Sequence, residues 1–263
     1  MGKHHGRCSH DAEACYPAGL AAGGGYMIDS PQLRWAFIRK VYVIVALQLL
    51  LTVVVAGAVN LIPAIGAFFR SRTVGALVAF VLIIISPLID RCNRVAVTDD
   101  GDVRAVMLPM IYYRKKHPIN LVLLALFTVC ISFAVGLGCL SKSGAVILEA
   151  AVITMVVVVG LTLYTFWAAK RGYDFEFLGP FLVAACLVLM LYSLIQILFP
   201  MGRTATMVYG CVAALVFAGF IIYDTDNLIK RYTYDEYVAA AIELYLDIIN
   251  LFQAILAVLS ADG

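Results

Sequence analysis

Thr206-Met207-Val208-Tyr209-Gly210-Cys211-Val212-Ala213-Ala214-Leu215-Val216-Phe217-Ala218-Gly219-Phe220-Ile221-Ile222-Tyr223 runs for eighteen residues without a charge and then meets Asp224. At about 1.5 Å per residue, a helix of this length comes close to spanning a hydrocarbon core of about 30 Å. Six further apolar runs of about this length lie at 41–61, 73–89, 119–140, 145–169, 177–199 and 238–259. A bilayer core offers no water to backbone N–H and C=O groups, so each run must satisfy them internally, as a helix. The expected fold is an all-α integral membrane protein of seven hydrophobic helices.

Composition agrees, since 63% of the residues are hydrophobic and 14% charged, against about 25% charged in a soluble domain. Seven spans use up most of the 263 residues, which leaves one membrane domain at 41–259, a tail at 1–40 and a short tail at 260–263. The first tail, with Gly23-Gly24-Gly25, is expected to be disordered and has no apolar run of signal-peptide length. A net charge of +2 on scattered basic residues argues against nucleic acid as a partner. Fifteen Lys and Arg residues fall in the tail and in the second, fourth and sixth connections; Arg70, Arg72, Lys142 and Arg203 make up the remainder. This asymmetry puts the N-terminus in the cytosol. No basic residue follows Arg231, so charge leaves two arrangements open for the last segment: a crossing, or a re-entrant helix that returns to the cytosol. The endoplasmic reticulum, Golgi, vacuolar and plasma membranes all suit these spans.

Two carboxylates occupy costly positions. Asp224 ends one apolar run, and Asp247 lies inside the next, in Leu244-Tyr245-Leu246-Asp247-Ile248-Ile249-Asn250-Leu251-Phe252. A charge at the bilayer centre costs at least about 2.5–3.5 kcal/mol, so such residues mark ion or proton paths. Glu243, Asp247 and Asn250 recur at i, i+4 and i+7, a polar stripe down one face of the last helix. The plain alternatives are a wet helix interface for the stripe and, for Asp224, an interfacial position leading into the polar Thr225-Asp226-Asn227. If Asp224 and Asp247 meet, they cannot both ionise cheaply and tend to share a proton. Raising the pH then leaves two like charges in proximity, and calcium, which prefers carboxylate and carbonyl oxygens, relieves the same repulsion. Glu149, early in the fourth run, faces either a cavity or the interface, while Gln48, Thr52, Asn60 and Gln196 are expected to bond across helices. The seven cysteines are odd in number and mostly within spans, so no disulfide framework is expected. His4, His5, Cys8, His10 and Cys15 match no zinc spacing. No organic cofactor is implied; calcium and protons are the expected partners beside the bilayer itself.

Arg34-Trp35-Ala36-Phe37-Ile38-Arg39-Lys40-Val41-Tyr42, Leu163-Tyr164-Thr165-Phe166-Trp167-Ala168-Ala169-Lys170-Arg171-Gly172, Asp174-Phe175-Glu176-Phe177-Leu178-Gly179-Pro180-Phe181, Ile221-Ile222-Tyr223-Asp224-Thr225-Asp226-Asn227-Leu228-Ile229-Lys230-Arg231-Tyr232 and the Asp247 stretch together resemble the Bax-inhibitor superfamily, in its plant LIFEGUARD branch. The resemblance implies seven helical segments, a pH-sensitive calcium leak in some members and suppression of stress-induced cell death. It implies a gating latch at Asp224 and Asp247, with an arginine near it for which Arg114 is the candidate. Residues 90–106, with Asp99, Asp100, Asp102 and three arginines, depart from the family pattern. They form either a cytosolic loop that splits the second span or an insertion of gene-model origin. Two other functions stay open: a non-conducting scaffold acting through other membrane cell-death regulators, and an intramembrane aspartyl protease. Against the protease, the Gly-x-Gly-Asp expected at its second aspartate is absent at Asp247.

Overall fold

The computed structural model describes residues 31–62, 119–199 and 202–262, and every regular element there is helical. The helices are α1 Pro31–Leu61, α2 Ile119–Cys139, α3 Gly144–Lys170, α4 Leu178–Leu198, α5 Arg203–Lys230 and α6 Tyr237–Asp262, with a 3-10 turn at Tyr234–Glu236. Five of them are long and apolar enough to cross a membrane, and α2 runs 21 residues without a charged side chain. Leu148, Val152, Val156 and Leu163 of α3 and Val188 and Leu191 of α4 are exposed. Apolar faces of this extent suit lipid rather than water. The chain is an all-α, multi-pass membrane protein. The expected segment at 73–89, the insertion at 90–106, Arg114 and residues 1–30 lie outside the described residues.

Helix α6 is the centre of the bundle. Of its most apolar stretch 56% is buried, against 17–33% for the other spans, and it packs on α5, α3, α1 and α2. It is also one unbroken helix of 26 residues. Its most extensive partner is α5, which it approaches closely at Gly210, where an added Cβ would stand 2.6 Å from Val258 Cγ2 and 2.9 Å from the Ala254 carbonyl oxygen. Lipid tails are as apolar as leucine, so membrane helices gain contact through small residues at such crossings rather than through the hydrophobic effect.

Two boundaries differ from the sequence expectation. Helix α1 begins at Pro31, inside the stretch 1–40 expected to be disordered, because Phe37 and Ile38 are buried and Arg34 Nη1 donates to the Tyr232 carbonyl oxygen at 2.7 Å. Helix α5 runs past Tyr223 to Lys230, since the polar residues that follow the apolar run are themselves buried and Asp226 is paired with Lys230. Helix α3 ends as expected near Lys170, and Gly172, at φ +82°, turns the chain. There the N–H of Gly172 donates to Ala169 O and that of Tyr173 to Ala168 O, a Schellman closure that favours glycine.

The crossing at Gly210 should govern stability. Gly210→Val is expected to cost about 1–3 kcal/mol through overpacking. Gly160→Ala, at a position where an added Cβ meets nothing within 4 Å, should be neutral or gain up to about 1 kcal/mol of helix propensity. Thermal unfolding of the two variants in detergent checks both signs.

Candidate functional site

On α5, Gly210, Phe217 and Asp224 are seven residues apart; on α6, Ala240, Asp247 and Ala254 are too. Seven residues make nearly two turns, so each set keeps to one helical face. Contact of Gly210 with Ala254 and Val258 identifies these faces as the α5–α6 seam and fixes the antiparallel register. That register sets Asp247 deeper than Asp224 by about 5–10 Å along the axis, at about 1.5 Å per residue. Side chains on a helix tilt toward its N-terminus. On antiparallel helices this makes the Asp224 carboxylate lean inward and the Asp247 carboxylate lean back toward it. Both are enclosed, Asp224 at 2% exposure and Asp247 at 0%. Burial of Asp224 replaces the interfacial, solvated alternative that its place at the end of an apolar run suggested.

The polar stripe is intact in part. Glu243 is buried and accepts a hydrogen bond from the Tyr232 hydroxyl, while Asn250 is half-buried. Glu149 is exposed on α3, so it belongs to the periphery and not to the seam. Arg114 lies outside the described residues. Two carboxylates offer fewer oxygens than the roughly six to eight that calcium takes at rest, which suits passage or a shared proton better than storage.

Around the far side of α6 is a second polar group made of hydroxyls and an amide. Tyr245 OH and Thr52 Oγ1 are 2.8 Å apart, Ser132 Oγ donates to Thr52 Oγ1 at 3.0 Å, and Gln48 Nε2 donates to Thr128 Oγ1 at 3.0 Å. These bonds tie α1, α2 and α6 together, as expected for Gln48 and Thr52. Asn60 bridges to Gly136 O at 3.2 Å and Gln196 to Thr206 Oγ1 at 3.3 Å, likewise across helices.

Sequence reasoning missed Asp226, which is 1% exposed. Its Oδ1 stands 2.6 Å from Lys230 Nζ, and its Oδ2 accepts from the Phe175 N–H at 3.3 Å. Lys230 in turn donates to the Tyr173 carbonyl oxygen at 2.6 Å, while Arg231 reaches Glu176 at 3.0 Å and Asp174 at 3.5 Å. These contacts clasp the α3–α4 connection onto the end of α5, two residues from Asp224. The signal was available in the i, i+4 spacing of Asp226 and Lys230. Partial desolvation raises the Asp174 carboxyl, but the Glu176 N–H, Lys230, Asp226 and Arg231 outweigh it and hold the group below its ordinary range.

Residues 34–263 match the family model described as Inhibitor of apoptosis-promoting Bax1. The chain is 56% identical to Protein LIFEGUARD 4 of Arabidopsis thaliana, over 89% of this chain and 88% of that protein. It is 36% identical to Protein lifeguard 4 of Mus musculus, over 88% of this chain and 87% of the mouse protein. With the Golgi anti-apoptotic protein of Vaccinia virus (strain Lister) it shares 35% identity over 92% of each.

Asp226→Asn should loosen the clasp by about 1.5–3 kcal/mol, the usual worth of a hydrogen bond to a charged group, and expose the 171–177 connection to limited proteolysis. Because the Asp174 pKa is depressed, its contribution is present above the unfolded value of about 3.9 and lost as the pH falls through the lower folded value. Proteolysis by an acid-active protease should therefore rise below about pH 4, and Asp174→Asn should flatten that rise.

Proposed function

The chain belongs to the Bax inhibitor family, and from that membership and the enclosed carboxylates we propose that it is a pH-sensitive calcium leak. In this reading it lets calcium run down its gradient from an intracellular store and suppresses stress-induced cell death. Members of the family are non-enzymatic regulators of cell death, which removes the aspartyl-protease alternative. A viral relative named for the Golgi and for anti-apoptotic action supports an endomembrane placement, and the charge asymmetry supports a cytosolic N-terminus.

The observation that carries the reading is that Asp224 and Asp247 are both buried on the one seam that holds the two innermost helices together. A proton shared between two acids in a low-dielectric seam keeps the net charge at one and the helices close. Loss of that proton leaves two like charges, whose repulsion at short range is strong where water is excluded. Separation of α5 from α6 then opens a carboxylate-lined path, and calcium entering it neutralises the charges that opened it.

Calcium flux into dye-loaded proteoliposomes, followed from about pH 5 to about pH 8, decides the matter. Flux through the natural chain should rise with pH. Asp247→Asn and Asp224→Asn should each give a flux independent of pH, since an amide cannot ionise. A pH response that survives both substitutions would refute the latch, and flux no greater than through empty liposomes would leave a scaffold that acts through other membrane proteins.

A further inference from the structure

The end of the bundle opposite the Asp226–Lys230 clasp carries a recess of about 360 Å³, walled by the α2–α3 turn, the start of α5 and the last turns of α6. Lys142, Arg203, Thr206, Gln253 and Ser260 supply its polar lining. Two of these are cations, and neither takes part in the ion pairs found among the described residues at the clasp end, on Lys230 and Arg231. Positive charge is also sparse on this side of the sequence, where only four basic residues fall, and two of the four meet in one concavity.

The recess is shaped as well as charged. Arg203 Nε donates to the Ala261 carbonyl oxygen at 2.9 Å, which fixes the guanidinium at the rim and leaves its two terminal nitrogens to face another acceptor. Arg203 is the first residue of a 28-residue helix whose N-cap, Gly202, offers no side-chain acceptor. The positive end of the helix dipole adds to the two side-chain cations. Thr206 and Ser260 contribute hydroxyls. Helices α5 and α6 are both long and apolar enough to cross the membrane, and a crossing pair would set its ends near the level of lipid headgroups.

We propose that this recess binds a phosphate-class oxyanion, held by Lys142 and Arg203 at the mouth of the α5–α6 seam. Arginine matches such an anion with paired N–H donors, and lysine adds a compact point charge. The same chemistry is offered by a phosphodiester headgroup and by free phosphate. Occupancy would bridge the α2–α3 turn to the start of α5 and hold that end of the seam, whether or not the seam conducts ions.

The test uses the full chain in nanodiscs of phosphatidylcholine, with and without phosphatidic acid, and in phosphatidylcholine alone with inorganic phosphate. Bound lipid is read by native mass spectrometry and stability by the unfolding midpoint. Basic residues elsewhere also attract anionic lipid, so each reading is the difference between the natural chain and Lys142→Gln/Arg203→Gln. That variant should bind roughly thirtyfold more weakly, from about fivefold per basic residue near a membrane surface, and lose the rise in midpoint. Lys142→Arg, which keeps both charges and the Arg203 bond to Ala261, should retain both and so separates loss of the site from loss of the fold. A rise with phosphatidic acid alone assigns a lipid headgroup, and a rise with inorganic phosphate in neutral discs assigns the free anion. Equal binding by the natural chain and the double glutamine variant in every disc would overturn the proposal.

Discussion

A carboxylate inside hydrocarbon must be enclosed by protein or it expels its helix, and this one requirement orders the bundle. Helix α6 carries Asp247 and Glu243, both buried, and it has the largest buried share of the five helices long and apolar enough to cross a membrane. Helices that bury no charge, such as α3 and α4, are left to the periphery with leucines and valines outward. Enclosure also needs close approach, and a glycine supplies it. At Gly210 the two backbones come near enough that a methyl group would collide with a carbonyl oxygen. The same contact sets the register that brings Asp224 and Asp247 to one seam.

Helix α6 keeps two polar chemistries apart by its own periodicity. Tyr245 and Asp247 are two residues apart, which places them about 200° apart around the helix. The tyrosine hydroxyl therefore joins Thr52 and Ser132 of α1 and α2, while the aspartate faces the α5 side. Hydroxyl groups here also bond to carbonyls one turn back in their own helices, as Thr52 does to Gln48 and Thr128 to Leu124, each at 2.8 Å. Their demands are met within the wall, so they join helices without adding charge. The seam holds acids, whose demands change with protonation. In the proposed latch one contact group is fixed and the other switches, on opposite sides of one rod.

Much of this was legible from the chain. Uncharged runs of span length predict the helices, because membrane backbone has few options. The i, i+4, i+7 spacing of Glu243, Asp247 and Asn250 predicted a polar face, and the structure buries the first two. Span ends were less legible, since hydropathy falls where charge begins and not where the helix ends. Residues 224–230 read as a polar exit from the membrane, yet they continue α5 as a buried, ion-paired turn. Asp226 was missed for that reason. Its partners, Lys230 and the Phe175 N–H, include a backbone group 51 residues away, and no local pattern announces such a contact. Glu149 shows the converse, a carboxylate in an apolar run that is nonetheless exposed near a helix start.

The two ends of the seam are built differently, and this bounds how it can move. At one end α5 and α6 are joined by the short stretch 231–236, closed by the Thr233–Glu236 capping box. That end is further tied by the Asp226–Lys230 clasp and by Arg34 on Tyr232. At the other end the described contacts are apolar packing at Gly210 and one hydrogen bond from Arg203 to Ala261. Two rods tied at one end and lightly held at the other separate most at the lightly held end. In the proposed latch, repulsion between Asp224 and Asp247 would act near the tied end, where Asp224 is only six residues from Lys230, and the lever of two long helices would turn a small rotation there into a larger opening at the far mouth. An anion seated between Lys142 and Arg203 would oppose that opening at the place where it is widest.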